Sequence, residues 1–382
     1  MNLGRALPLV TALAGVLSAG CGTTAAVRPP PAPGPAEVPV AAATVPGPAA
    51  GPLERVRVIV EDTLAAEKLP SLSVAVARPG AETIAYAAGF SDLEHRVPAT
   101  VDTVYRVGSV SKPLTAVTAL ALAEHGVLDL DAPVQRYCPA FPAGREGVTV
   151  RRLLGHLGGV RDYDAGRGEF VSRRHFESFP ELVGYFSSDP PVAAPGARYQ
   201  YSVYGYDLVG CALEGAGQAR YAELVRQHVL EPAGMISTLL DEPEAIVPHR
   251  ARGYELGRGG RLWNAALVDL SNRWPAGGWL STPSDLVAFG RALLGGLVSP
   301  GSRAALWTPQ HLADGASTGY GLGFGLPASP PAAEHAGSSV GASAFLWIDP
   351  ADGTVVAFTT NLQFWNDAER RSLVKRLAAA VR

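Results

Sequence analysis

From Leu53 onward, the apolar residues fall into patterns that predict elements. Val56, Val60 and Leu64 recur at helical spacing, which predicts a helix over 53–67 that ends before Pro70. Leu72 to Ala77 and Thr83 to Gly89 read as two strands joined by a turn around Pro79-Gly80. Ser109 to Glu124 reads as a helix stopped by Gly126. Between 127 and 255 the pattern is mostly helical with many loops, and short helices are expected at 149–157, 180–187, 203–215 and 220–230. Strands return at Phe345 to Ile348 and Thr354 to Thr360, flanking the turn residues Asp349-Pro350-Ala351-Asp352-Gly353. Asp367 to Val381 reads as a closing amphipathic helix. Strands at both ends with helices between them predict an α/β (α+β) domain. Its antiparallel sheet is built from the two chain ends, with helices packed on it and a mostly helical subdomain inserted at roughly 109–255.

The first fifty residues follow a different rule. Arg5 precedes an apolar run from Ala6 to Leu17, too short for a membrane span and interrupted by Pro8, and small residues lead to Cys21. This reads as a secretion signal over 1–21. Leu17-Ser18-Ala19-Gly20-Cys21 is similar to a bacterial lipoprotein processing site, although Ser18 stands where an aliphatic residue is usual. Lipidation of Cys21 is expected, with ordinary signal cleavage nearby as the alternative. Residues 22–52 are rich in Pro and Ala and form an extended tether, and 53–382 form the folded domain. The expected location is the cell envelope or periplasm, with membrane attachment through a lipid anchor only.

Composition narrows the function. The 382 residues are 47% hydrophobic and 18% charged, enough apolar material for a sizeable core. A net charge of −3 gives no basic face for nucleic acid. The three Cys and eight His show no metal-ligand spacing, so neither a metal nor a cofactor is expected. Only three residues are Lys (Lys68, Lys112 and Lys375) among 32 Lys and Arg. A lysine kept where arginine is the rule draws attention, because lysine can lose its proton in a site.

Lys112 lies three residues after Ser109. On a helix the two share a face, with the serine oxygen near a helix N-terminus. A desolvated lysine there can take the serine proton. Spacing alone is weak support, since Ser372 and Lys375 repeat it inside the predicted terminal helix. A rival motif, Gly337-Ser338-Ser339-Val340-Gly341, matches the GxSxG elbow of α/β-hydrolases. That fold needs a His after its Ser, and His335 is the last His in the chain.

Several ordered segments carry a resemblance. Ser91 to Pro98 and Thr103 to Lys112 come first, and Leu153 to Val160 follow. Tyr201-Ser202-Val203-Tyr204-Gly205-Tyr206, Pro275 to Thr282, Tyr320 to Phe324 and His335-Ala336-Gly337 complete the order. Together they resemble the serine β-lactamase-related family of class C β-lactamases, penicillin-binding proteins, D-amino-acid carboxypeptidases and lactamase-like esterases. The wording is nearest to the mitochondrial lactamase-like serine proteases and their bacterial relatives. The resemblance covers about 53–382 and implies Ser109 as nucleophile, Lys112 as its base and Tyr201 as proton shuttle. It further implies an oxyanion hole from the N–H groups of Ser109 and Ser338, with His335, Gly337 and Val203 lining the substrate. His335 would add positive or dipolar character near a substrate carboxylate or carbonyl.

The expected activity is hydrolysis of an amide or ester through an acyl-enzyme, on a small peptide, a D-amino-acid-containing peptide or an ester. Val203 and Ala336 replace polar residues common in lactamases, which weighs against efficient β-lactam hydrolysis. Two alternatives stay open: a non-catalytic envelope sensor or scaffold, and an envelope β-lactamase. His156 is expected to be a structural loop histidine, and Tyr199, Tyr204 and Tyr206 to be core. Cys138 and Cys211 are expected to be buried or unpaired. An exported protein permits their pairing, but the sequence does not bring them together.

Overall fold

The computed structural model describes residues 51–329 and 331–382; the predicted signal, Cys21 and the tether up to residue 50 lie outside the described residues. Ser71–Ala77 runs antiparallel to Val355–Thr360, with Ser73 opposite Thr359 and Ala77 opposite Val355. This seam joins the two ends of the domain. Ile84–Asp92 and Val97–Pro98 extend the six-stranded sheet on one side. Ala342–Ile348 and then Ala333–Ser339 extend it on the other, so Ala333–Ser339 is an edge strand.

Both sheet faces are covered, which is why the central strands read as apolar runs. Leu72, Val74, Val76, Phe345, Trp347, Val356 and Phe358 pack toward the helices Pro52–Glu67 and Asp367–Ala380. Ala75, Ala77, Ala344, Leu346, Ile348, Val355 and Ala357 point the other way, into the larger core shared with the helix Pro283–Gly295 and the inserted region.

The predicted short helices appear as Val150–Leu154, Phe179–Phe186, Val203–Gly217 and Tyr221–Val225, the last passing into a π-helical turn at Arg226–Leu230. Among the described residues, the two longest helices that went unpredicted are Pro283–Gly295 and Pro300–Leu306. Each has a capping residue: Thr282 accepts from the Asp285 N–H and Ser299 from the Ser302 N–H, and each starts on a proline. The helix predicted from Ser109 begins at Ser111 instead, after a 3₁₀ turn over Gly108–Val110.

Cys138 and Cys211 form a disulfide across 73 residues, with Cα atoms 5.5 Å apart, which corrects the expectation of unpaired thiols. The pairing tethers the Cys138 loop to the Val203–Gly217 helix. No helix among the described residues is long and apolar enough to cross a membrane.

Candidate active site

The backbone around Ser109 is held by two close approaches. Gly108 has φ of +50°, and a Cβ there would lie 2.6 Å from the Ser338 oxygen. A Cβ on Gly337 would lie 2.0 Å from the Val107 oxygen. Only glycines let the edge strand Ala333–Ser339 press onto this turn, so Gly337 serves as a contact point between the two backbones. The result sets Ser338 against the residue that precedes Ser109.

Ser109 is partly exposed, whereas Lys112, one helical turn on, is fully buried. Lys112 Nζ lies 3.2 Å from Ser109 Oγ and donates to the Ala276 carbonyl at 2.8 Å. The amine also sits over the rings of Tyr201, at 4.7 Å, and Tyr206, at 5.2 Å. Burial disfavours its charged form and outweighs the attraction of Asp162 and Asp207, lowering its pKa to about 7. An amine in that range exists partly as the free base at neutral pH.

Tyr201 stands immediately before the capped helix Val203–Gly217. Ser202 Oγ accepts from the Gly205 N–H at 2.8 Å and donates to the Arg161 carbonyl at 2.7 Å. His156 Nδ1 accepts from the Ser202 N–H at 3.2 Å, and its ring lies 4.2 Å from that of Tyr201. His156 is buried and held neutral by desolvation, so it orients the tyrosine segment as the structural reading expected. Burial raises the Tyr201 pKa, and a hydrogen bond with the Ser109 side chain pulls it down. Ser109, Lys112 and Tyr201 therefore meet in one place. Val203 is half-buried against the main core, and its N–H donates to Asp162 at 2.9 Å.

His335 is buried. Its Nε2 lies 2.9 Å from the Tyr320 hydroxyl, and its Nδ1 lies 2.7 Å from the Ala336 carbonyl. The Nδ1–H donates to the carbonyl and Nε2 accepts from the phenol, which fixes one neutral tautomer. Desolvation, helped by nearby Lys112, lowers the pKa to about 3. Of the two expectations for this residue, positive and dipolar, the structure leaves the dipolar one. Ala336 packs against the core on the opposite sheet face. The GxSxG match is the turn at the end of a β-hairpin, with Ser339 opposite Ala342.

Sequence reasoning assigned no role to Asp162, Asp207, Arg273 or Tyr320. Asp207 carried a signal, as a single acid in the apolar run Val203 to Leu213. The surface group Asp92, Glu94 and His95 places one ligand atom of each within 4.8 Å of the others. His95 is bonded to Asp92 at 2.8 Å, and Glu94 pairs with Arg252 at 3.1 Å.

Comparison with known proteins gives the family and the fold. The Beta-lactamase family model matches residues 56–380. The human mitochondrial serine beta-lactamase-like protein LACTB is 30% identical over 63% of this chain and 59% of its own length. Penicillin-binding protein 4* of Bacillus subtilis is 28% identical over 61% of this chain and 54% of its own. This chain thus spans less than two thirds of the length of these curated relatives. Among solved structures, the D-amino acid amidase of Ochrobactrum anthropi SV3 superposes with a TM-score of 0.75 at 24% identity, covering 86% of this chain and 98% of that one. SurE superposes with a TM-score of 0.72 at 26% identity, covering 86% and 76%. With the family model matched over nearly the whole described domain, the chain belongs to the Beta-lactamase family of serine hydrolases.

Proposed function

We propose that this protein cleaves an amide or ester bond by acylating Ser109. The observation that carries the reading is the buried Lys112 amine, 3.2 Å from Ser109 Oγ, with its pKa lowered to about 7. As the free base, Lys112 keeps one N–H on the Ala276 carbonyl and presents its lone pair to the serine hydroxyl. The serine oxygen attacks the substrate carbonyl carbon as its proton passes to Nζ. The resulting oxyanion is received by the N–H groups of Ser109 and Ser338. Tyr201, hydrogen-bonded to Ser109, relays the proton to the leaving amine or alcohol, which departs as the acyl-enzyme forms. Water activated by the same groups then releases the acid and restores Ser109.

The substrate class is a small peptide, a D-amino-acid-containing peptide or an ester. The fold shared with a D-amino acid amidase supports it. Neutral His335 and apolar Val203 offer no charge or amide partner of the kind a β-lactam carboxylate or side chain would use. The disulfide fits an oxidising compartment and supports export, with Cys21 as the lipid anchor.

The test is a panel of D- and L-amino-acid amides, short peptides, p-nitrophenyl esters and nitrocefin, run with wild type and Ser109→Ala. Release of amine or alcohol that depends on Ser109, with nitrocefin the poorest substrate, is the expected result. Equal release by both proteins, or nitrocefin as the best substrate, overturns the reading.

A further inference from the structure

Asp207 is fully buried, and neither carboxylate oxygen meets a hydrogen-bond partner among the described residues. Such a group is costly, because an isolated carboxylate loses its hydration with nothing in return. Its place in the fold gives it a use. It sits one helical turn after Val203 on the Val203–Gly217 helix. This helix packs on Ser111–Glu124, which carries Lys112, and on Trp274–Gly277, whose Ala276 carbonyl holds the lysine amine. Gly210, on the next turn of the Asp207 helix, lies against Pro275.

We propose that Asp207 is a positioning residue that acts through Lys112, setting the charge state from which the lysine takes the Ser109 proton. The inference rests on the acyl-enzyme reading above.

The groups facing the pair come from every element packed around it. Lys112 faces Asp207 from the Ser111–Glu124 helix, and Arg273 faces it from the segment before Trp274. Asp162 and Tyr163 lie on the stretch after Val150–Leu154. Tyr221 belongs to the next helix, and Tyr204 shares the helix of Asp207. Lys112 is also faced by Tyr201, Tyr206, His156 and His335. Arg273 is occupied elsewhere, donating to the Glu169 and Phe170 carbonyls at 3.2 and 2.8 Å. The Tyr163 hydroxyl, like the Asp207 oxygens, is buried without a hydrogen-bond partner among the described residues.

Asp207 and Asp162 favour the charged lysine, whereas desolvation and Arg273 disfavour it. Burial raises the Asp207 pKa, and Lys112 and Arg273 pull it back. Lys112 and Asp207 each favour the other's charged form while burial disfavours both, so the two titrate as a coupled pair. Removing the Asp207 carboxylate removes one support of the lysine's charge, so the free base persists to lower pH.

The chain's composition makes this measurable without turnover. Only three lysines are present, and Lys68 and Lys375 are exposed. In protein labelled with ¹³C-lysine, three sets of ε-methylene signals report three titrations, and Lys112→Arg assigns the buried one. In Asp207→Asn the Lys112 midpoint is expected to move down by about one unit, with Lys68 and Lys375 unmoved. Asp207→Leu suits the apolar surroundings and gives the same shift if the Asn variant folds poorly. The acid limb of kcat/KM follows the midpoint downward in both variants. An unchanged Lys112 midpoint in a folded variant overturns the inference even if wild type turns over. Loss of Ser109-dependent turnover from the wild type itself would instead remove the reading beneath it.

Discussion

The spacing Ser-x-x-Lys occurs twice in this chain, and the two copies stand in opposite surroundings. Ser372 and Lys375 lie on the Asp367–Ala380 helix, both exposed to solvent. Lys112 has no exposed surface, sits over two tyrosine rings and donates to the Ala276 carbonyl. The same four-residue pattern is solvated in one place and buried in the other. The two places differ in desolvation and in the strand edge that presses onto the turn at Ser109. Helix geometry contributes only the proximity, which both copies share.

The comparison breaks most sharply at the two serines. Ser109→Ala is expected to lower kcat/KM by at least about 10⁴-fold, because a nucleophile has no substitute. Ser372→Ala should match wild type in the same steady-state assay. Lys112→Arg keeps a cation at the site but cannot supply a free base, and a loss of about 10²–10⁴-fold is expected from removing general-base catalysis. Lys375→Arg should be silent. Tyr201→Phe keeps the ring beside Lys112 and removes only the hydroxyl, so a loss of about 10²-fold is expected, with single-turnover kinetics assigning it to acylation or deacylation.

The pH profile sharpens the contrast further. Lys112 acts as a base only when unprotonated, and its pKa is lowered to about 7. Wild-type kcat/KM should therefore rise with pH through that value and level off above it, and fall tenfold per unit below it. An acid limb close to pH 4, with activity flat through neutrality, would assign the base to another group. The smallest expected effect on chemistry comes from the disulfide. Replacing Cys138 and Cys211 together with Ala should cost roughly 2–4 kcal/mol of stability in denaturant unfolding, with kcat/KM retained in the folded fraction.

Much of this was legible in the chain because it is local. Ser109, Lys112, Tyr201 and Gly337 fall in short ordered segments, and the sheet built from both ends followed from where the strands lay. The Pro283–Gly295 helix was legible too, through Thr282, Pro283 and Asp285, but its capping signal went unread. Other features depend on packing between distant segments. The partner of Cys138 and the charged groups facing Asp207 come from distant stretches, and no spacing rule joins residues 73 positions apart. His335 was singled out from its segment, but its neutrality depends on Tyr320 and on burial. The 3₁₀ turn at Ser109 depends on the approach of Ser338, which only the folded sheet supplies.

The most direct test of the central claim is a peptide map of wild type and Ser109→Ala after reaction with a fluorophosphonate probe, read together with intact mass. One adduct per chain is expected on the peptide containing Ser109, formed faster as pH rises through about 7, and no adduct in the variant. Label on Ser338 or Ser372, or equal labelling of the Ser109→Ala protein, would contradict that claim.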